Sequence, residues 1–197
     1  MLTRRRLCAC ALCSPILWST SLAVRAAGND AQLMQAKLSR VTEDITPGLY
    51  LTVDWEFDLS EILVDSMKRG IPLYFEYEFR LERPRWYWTN KKAAQSHLVQ
   101  RVGYSPLSRR WRFSRGGLIQ SFHTFEEVLP LLKHVGDWRV ADVDTVDDID
   151  DFQAETRLHL DLTKLPKPLQ VSIGGNSDWA LESDWENVHL SKDLTRR

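Results

Sequence analysis

Two short segments interleave arginine with aromatic side chains, a combination suited to binding phosphate, carboxylate or sugar groups. They lie at residues 83–88 and 109–113 of the 197-residue chain. The candidate binding residues in these segments are Arg83, Arg85, Trp86, Trp88, Arg110, Trp111 and Arg112. In the alternative interpretation the aromatic rings face the core, and the arginines pair across strands with glutamates. The sequence leaves open whether the segments form an anion-binding or partner-binding face or belong to the framework.

Carboxylates are concentrated in two further places. A run of six aspartates between residues 142 and 151 begins with the weak metal-ligand candidates Asp142, Asp144, Asp147 and Asp148. Hard oxygen ligands suit Ca²⁺, but the spacing is not that of an EF-hand, so a solvated acidic loop is the simpler interpretation. Glu76 and Glu78 are two residues apart, which on a strand separates their carboxyl groups by roughly 7 Å. Inverting glycosidases use such a separation, and an exposed strand with alternating charges produces it as well.

The local signatures of several enzyme classes are absent. The chain contains no G-x-S-x-G, H-E-x-x-H, S-x-x-K, G-x-G-x-x-G or Walker sequence. Its five histidines are scattered, and its three cysteines all precede residue 14. A formal charge of -1 gives no global attraction to nucleic acid. We therefore expect no cofactor, no nucleic-acid partner and no catalytic residue that the sequence can identify.

The N-terminus has the layout of an export signal. Three arginines at positions 4–6 precede an uncharged stretch over residues 7–24, and small residues follow it. This pattern predicts a signal peptide over residues 1–26, of the Sec type or, from Thr3-Arg4-Arg5-Arg6-Leu7, of the twin-arginine type. An uncleaved inner-membrane anchor is the alternative. We expect a periplasmic protein that touches the membrane only through this segment if it is retained.

The remainder of the chain is predicted to form mostly β-strands. Strict alternation of apolar and polar residues over 49–58 and 75–82 predicts strands with one buried face. Further strands are expected over residues 32–41, 97–104, 110–114, 118–122, 152–162 and 169–173, and short helices over 61–69 and 128–135. The fold prediction is therefore a mainly β protein, an antiparallel β-sandwich (immunoglobulin-like or similar) with two short helices. It forms a single domain over residues 30–191, followed by a basic tail at 192–197.

Several longer motifs together resemble one protein family. They are Arg83-Pro-Arg-Trp-Tyr-Trp88, Leu107-Ser-Arg-Arg-Trp-Arg112, Gly116-Gly-Leu-Ile-Gln-Ser-Phe122, Trp138-Arg-Val-Ala-Asp142, Leu165-Pro-Lys-Pro-Leu-Gln-Val171 and the pair Asp178-Trp179 and Ser183-Asp-Trp185. They resemble a proteobacterial family of exported proteins catalogued as domain of unknown function 4390. The resemblance implies an envelope protein encoded beside a sensor-kinase and response-regulator pair. It implies no activity and no catalytic residue.

Three functions are compatible with the sequence. The first is a non-catalytic periplasmic binding or accessory module, which would act on an envelope protein such as a two-component sensor kinase. The second is a hydrolase of envelope glycan that uses Glu76 or Glu78. The third is a purely structural envelope protein. The absence of catalytic motifs and the presence of the arginine and tryptophan segments favour the first.

Overall fold

A computed structural model describes residues 30–43, 45–87, 90–146, 151–173, 177–190 and 194. The predicted signal peptide over residues 1–26 lies outside these residues, as does all of the predicted basic tail except Leu194, which is buried. In the described part, the strands are β1 (Gln32–Val41), β2 (Gly48–Glu56), β3 (Leu73–Arg83), β4 (Lys91–Ser105), β5 (Arg110–Arg115), β6 (Leu118–Phe122), β7 (His134–Ala141), β8 (Gln153–Leu160) and β9 (Glu186–Val188). The helices are α1 (Glu61–Lys68), α2 (Leu129–Lys133) and α3 (Lys167–Ile173).

The strands form two antiparallel sheets in a sandwich-like arrangement, which confirms the predicted fold class. The smaller sheet has the order β1-β2-β7, and the larger has the order β6-β5-β4-β3-β8-β9. Every strand pair in the two sheets is antiparallel. The division into three and six strands differs from the four and three of an immunoglobulin constant domain.

Alternating residues of the two longest apolar patterns form the core between the sheets. In β3 the fully buried set is Leu73, Phe75, Tyr77, Phe79 and Leu81, and in β2 it is Leu49, Leu51, Val53 and Trp55. Because successive side chains of a strand point to opposite faces, the polar residues between them face away from the core. The outer face of β3 is therefore the place where the sequence pattern puts its charges.

Local signals explain the predicted helix α1. The Ser60 hydroxyl accepts a hydrogen bond from the Leu63 N–H at 3.3 Å, which caps the helix N-terminus. Gly70 ends the helix at φ 89°, a conformation that side chains with a Cβ rarely adopt. No helix in the described part of the chain is long and apolar enough to span a membrane.

Two secondary-structure predictions are wrong. The helix expected over 128–135 is the shorter α2, with Pro130 in its first turn, and the chain then enters β7, which the sequence pattern missed. A register shift at Gly136 and Asp137, the latter at φ 50°, breaks the period-two pattern of β7. The strand expected over 169–173 is helix α3. Three apolar residues that alternate with two polar ones are too short a pattern to distinguish a strand from a helix. Pro168 in its first turn suits a helix.

The buried Tyr77 hydroxyl joins the large sheet to α2. It donates a hydrogen bond to the Leu132 carbonyl at 2.5 Å and lies 3.3 Å from Gln100 Oε1. Burial raises the pKa of the phenol far above its ordinary value, so the group remains a protonated donor.

We predict that Tyr77→Phe lowers the free energy of unfolding by about 1–3 kcal/mol, because it leaves buried acceptors without their donor. Urea denaturation of the full chain measures the effect. Tyr74→Phe on the outer face is the matched control and should change stability little. Equal effects of the two substitutions would contradict a specific role for the buried hydroxyl.

Candidate functional site

Residues 83–87, the described part of the first segment that contains arginine and tryptophan, form the exposed tip of the β3–β4 hairpin. Arg83 ends β3 opposite Lys91, the first residue of β4, and Arg85 and Trp86 follow in the turn. The Trp86 side chain is 92% exposed, and its ring contacts Tyr87 edge-on with 4.8 Å between ring centroids. Trp88 lies outside the described residues. Two adjacent exposed aromatic rings therefore stand beside two arginines.

A groove opens at the base of this tip, and we call it the basic groove. It has a volume of about 380 Å³ and is lined by Arg83, Lys91, Lys92, Ala93, Thr145 and Phe152. The Arg83 guanidinium lies 4.7 Å from the centre of the Phe152 ring and 3.3 Å from the Asp151 carboxylate. The Asp151 carboxylate therefore pairs with the arginine that lines the groove.

The second segment is divided between the core and the surface. The Trp111 side chain is 5% exposed and packs on Tyr104 and Phe125, with ring centroids 5.4 and 4.9 Å apart. Arg112, next to it on the opposite face of β5, is exposed. Arg110 Nη1 donates a hydrogen bond to His123 Nε2 at 2.6 Å. For Trp111, the structure places the ring where the framework interpretation expected it.

The two segments lie at opposite ends of β4. The Cα partner of Arg83 is Lys91 at one end of this strand, and the partner of Arg110 is Ser105 at the other. The fourteen residue steps between Lys91 and Ser105 span about 46 Å at the usual rise of a strand. Of the six predicted binding residues that the structure describes, Arg83, Arg85 and Trp86 lie at the hairpin tip and Arg110, Trp111 and Arg112 lie at the other end of β4, so the six do not form one continuous face.

A longer charge pattern, which the motif search missed, connects the two segments. Between Glu82 and Glu126 the chain has no aspartate or glutamate but nine lysines and arginines. The remaining sequence holds all 27 acidic residues against 17 basic ones. The acid-free stretch comprises the hairpin tip and all of β4, β5 and β6, and we call it the basic segment. A count of charges in successive windows would have found it.

Most cations of the basic segment are not neutralised by ion pairs. In the part of the chain that the structure describes, Arg83 pairs with Asp151, whereas the other eight cations form no salt bridge: Arg85, Lys91, Lys92, Arg101, Arg109, Arg110, Arg112 and Arg115. Arg101 lies 5.9 Å from the Tyr74 ring centre, and Arg115 donates a hydrogen bond to the Gly136 carbonyl. This half of the large sheet therefore presents a positive surface on a chain whose total charge is slightly negative.

Glu76 and Glu78 belong to a cross-strand network rather than to an open cleft. Glu78, whose side chain is 8% exposed, lies 2.5 Å from Arg157 Nη2. His97 Nδ1 is 3.1 Å from Glu76 and 3.8 Å from Glu78, and His159 contacts both carboxylates at 3.8 and 3.4 Å. All four carboxylate oxygens thus lie within 4 Å of a basic nitrogen. Such engagement supports a structural role and does not favour a glycosidase pair, which needs access to substrate.

A short turn brings a further cation to this network. Asp161 accepts a hydrogen bond from the Thr163 N–H at 2.9 Å and lies 3.0 Å from Lys164 Nζ, which in turn lies 3.9 Å from Glu76. Burial alone would raise the pKa of Asp161, but hydrogen bonds from Thr163 and Lys164 outweigh it and hold the pKa below its ordinary value. The carboxylate therefore stays ionised at neutral pH and positions Lys164.

The sequence Ser-Asp-Trp occurs twice, at residues 177–179 and 183–185, and its two tryptophans lie in different environments. Trp179 is buried, and the Ser60 hydroxyl donates a hydrogen bond to the neighbouring Asp178 carbonyl at 2.6 Å. Trp185 lies against the guanidinium groups of Arg80 and Arg157, 4.0 and 4.7 Å from its ring centre. Both rings are therefore engaged within the protein.

The aspartate run divides among separate partners. Asp142 pairs with Arg139 at 2.6 Å and Asp151 pairs with Arg83, whereas Asp147 and Asp148 lie outside the described residues. Asp144 is exposed. Among the described residues, no group of three or more histidine, cysteine, aspartate or glutamate side chains is arranged to hold a metal ion.

We predict that Glu78→Gln lowers the free energy of unfolding by about 1–3 kcal/mol, because it weakens the contacts of a buried charge with Arg157 and both histidines. Glu155→Gln, at the more exposed pair with Arg80, is the control and should cost less than about 1 kcal/mol. Urea denaturation at pH 7 measures both changes. A Glu78 variant as stable as the wild type would show that the network contributes nothing to the fold.

Comparisons with known proteins give a family and no function. No curated protein and no solved structure matches the chain. One family model matches residues 29–189, which include every described strand and helix. The chain belongs to the family described as domain of unknown function DUF4390.

Proposed function

We propose that this chain is a non-catalytic binding module that recognises an acidic protein partner through the β3–β4 hairpin tip and the basic groove. The observation that carries the proposal is the basic segment, whose cations are largely unpaired and whose hairpin tip exposes Trp86. Complementary charge steers association and selects partners. A protein with a small negative net charge gains such attraction only from a local concentration of cations.

The residue types at the tip favour a protein partner. Tryptophan, tyrosine and arginine dominate the binding energy of protein interfaces, and the tip presents Arg83, Arg85, Trp86 and Tyr87 together. Exposed, adjacent aromatic rings can be buried by a partner, while the surrounding cations pair with its carboxylates. The contact between Arg83 and Asp151 is an intramolecular instance of such a pair.

The setting we propose is the bacterial envelope. The N-terminal pattern supports export to the periplasm, and the family resemblance supports a sensor kinase encoded nearby. The partner that fits both is the extracytoplasmic part of a sensor kinase, on which the chain would act as an accessory module. An envelope glycan hydrolase is less well supported, because Glu76 and Glu78 are engaged by basic side chains.

In-cell photo-crosslinking tests this proposal. A photoreactive amino acid replaces Trp86 in the full chain, and mass spectrometry identifies what is captured. Leu107, which is fully exposed in the β4–β5 turn, is the control position. We expect one dominant protein adduct from position 86 that is absent from position 107. No adduct from a folded, exported protein would contradict the proposal and favour a purely structural role.

Charge reversal at the tip should reduce this capture. We predict that the double variant Arg83→Glu and Arg85→Glu lowers the adduct yield at least about tenfold, because each reversed charge replaces attraction with repulsion. The matched control reverses Lys68 and Arg69 at the exposed end of α1 and should change the yield less than about twofold. Circular dichroism verifies that both variants fold. Equal losses in the two variants would contradict a specific site at the tip.

A further inference from the structure

The strand β6 is an open edge of the larger sheet. It pairs with β5 through five residue pairs in continuous register, and the sheet ends there. Its sequence contains no charge and no proline, and Leu118 and Ile119 are 61% and 66% exposed. Edge strands in soluble proteins are usually protected by charges, prolines, bulges or a covering segment. β6 lacks the first three, and its high exposure shows that no described segment covers it.

The two faces of this edge differ in character. On the outer face, Ser121 lies opposite Arg112 and Ile119 opposite Ser114. On the core-facing side, Leu118 and Phe122 lie opposite Arg115 and Trp111. On one face, a strand added to β6 would therefore lie beside Ile119 and Ser121, with Arg112 one strand beyond. On the other face it would lie beside Leu118, Gln120 and Phe122.

The charges beside β6 indicate which occupant fits. The hairpin of β5 and β6, with the turn before it, carries Arg109, Arg110, Arg112 and Arg115 and no acidic residue. Arg110 and Arg112 lie on the outer face of β5, and a second copy of the chain, paired through its own β6, would bring the same two arginines toward them. An acidic strand would instead bring opposite charges toward them, so charge complementarity favours an acidic strand over self-association.

We propose that β6 accepts an extended acidic segment of the protein partner as an additional strand of the sheet. The segment would alternate acidic residues, facing Arg112, with apolar residues that cover Leu118. Neighbouring strands lie about 4.8 Å apart, so an acidic residue beside Ser121 has its Cα about 10 Å from that of Arg112, within the combined reach of the two side chains. This inference rests on the proposed function, because it assumes an acidic partner and adds a second contact distinct from the hairpin tip.

A synthetic peptide tests the strand addition directly. The probe is a fluorescein-labelled decapeptide of alternating glutamate and valine, titrated against the full chain by fluorescence anisotropy. Its control is the same peptide with methyl groups on alternate backbone nitrogens, which keeps the charge and removes backbone donors. We expect binding at least about tenfold weaker for the methylated peptide. Hydrogen exchange should show slower exchange at Leu118–Phe122 when the unmodified peptide is bound.

A pair of charge reversals locates the peptide. Arg112→Glu should weaken binding at least about tenfold, whereas Arg101→Glu, one strand farther from β6, should weaken it about threefold or less. Equal binding of the two peptides, or no binding of either, would overturn the proposal. So would a dimer of the full chain that Ile119→Lys dissociates, because β6 would then pair with a second copy.

The peptide and crosslinking experiments also distinguish a failure of strand addition at β6 from a failure of the proposed function. Loss of peptide binding through Arg83→Glu and Arg85→Glu, with Arg112→Glu unaffected, would place the peptide at the hairpin tip. It would overturn strand addition at β6 and leave the proposed function standing. Failure of the proposed function itself would appear as the absence of an adduct from position 86, which does not depend on any peptide.

Discussion

The antiparallel pairing of β3 with β4 is the interaction on which the other features depend. The two strands pair from Leu73 opposite Val102 to Arg83 opposite Lys91. One face of β3 supplies three of the four largest fully buried side chains of the core, Phe75, Tyr77 and Phe79. The other face holds the carboxylates that His97 of β4 and Arg157 of β8 contact. The same pairing projects the hairpin tip, with Trp86 at its end, into solvent.

This pairing also marks a boundary of charge within the large sheet. On the β3 side, glutamates are engaged by histidine, arginine and lysine side chains from both neighbouring strands and from the turn at Lys164. From Arg83 to Phe125 the chain contributes no carboxylate of its own, and eight of its nine lysines and arginines form no salt bridge to a described residue. The electrostatic asymmetry therefore follows from the order of strands, which places β4, β5 and β6 together on one side. The cations without a salt bridge are therefore concentrated on the β4 side of this boundary.

Sequence patterns predicted much of the framework because period-two alternation is a direct consequence of strand geometry. The bounds expected for β1 and β6 match those observed, and the Ser60 cap of α1 is present. The strand β7 was missed because its bulge at Asp137 interrupts the alternation, and α3 was mistaken for a strand because the run was short. These errors lie in segments where a local backbone feature, rather than the hydrophobic pattern, decides the structure.

The candidate site was less predictable, because it depends on distances that the sequence does not give. The predicted strand over 97–104 is seven residues shorter than β4, so the sequence could not show that the two arginine and tryptophan segments lie far apart. The different exposure of Trp86 and Trp111 has a local reason: Trp111 alternates with Phe113 within a strand, whereas Trp86 lies in a turn. The basic segment was detectable from sequence, but it acts as a surface only because its strands are adjacent.

Retention of the full chain on a polyglutamate column at pH 7 tests most directly whether the basic segment acts as a binding surface. With a formal net charge of -1, the chain has no overall attraction to this resin. We expect the chain to bind polyglutamate, to elute with salt, and to elute earlier when Arg83 and Arg85 are replaced by glutamate. Passage through polyglutamate without retention, together with binding to polylysine, would show that the net charge governs its interactions and would contradict the account.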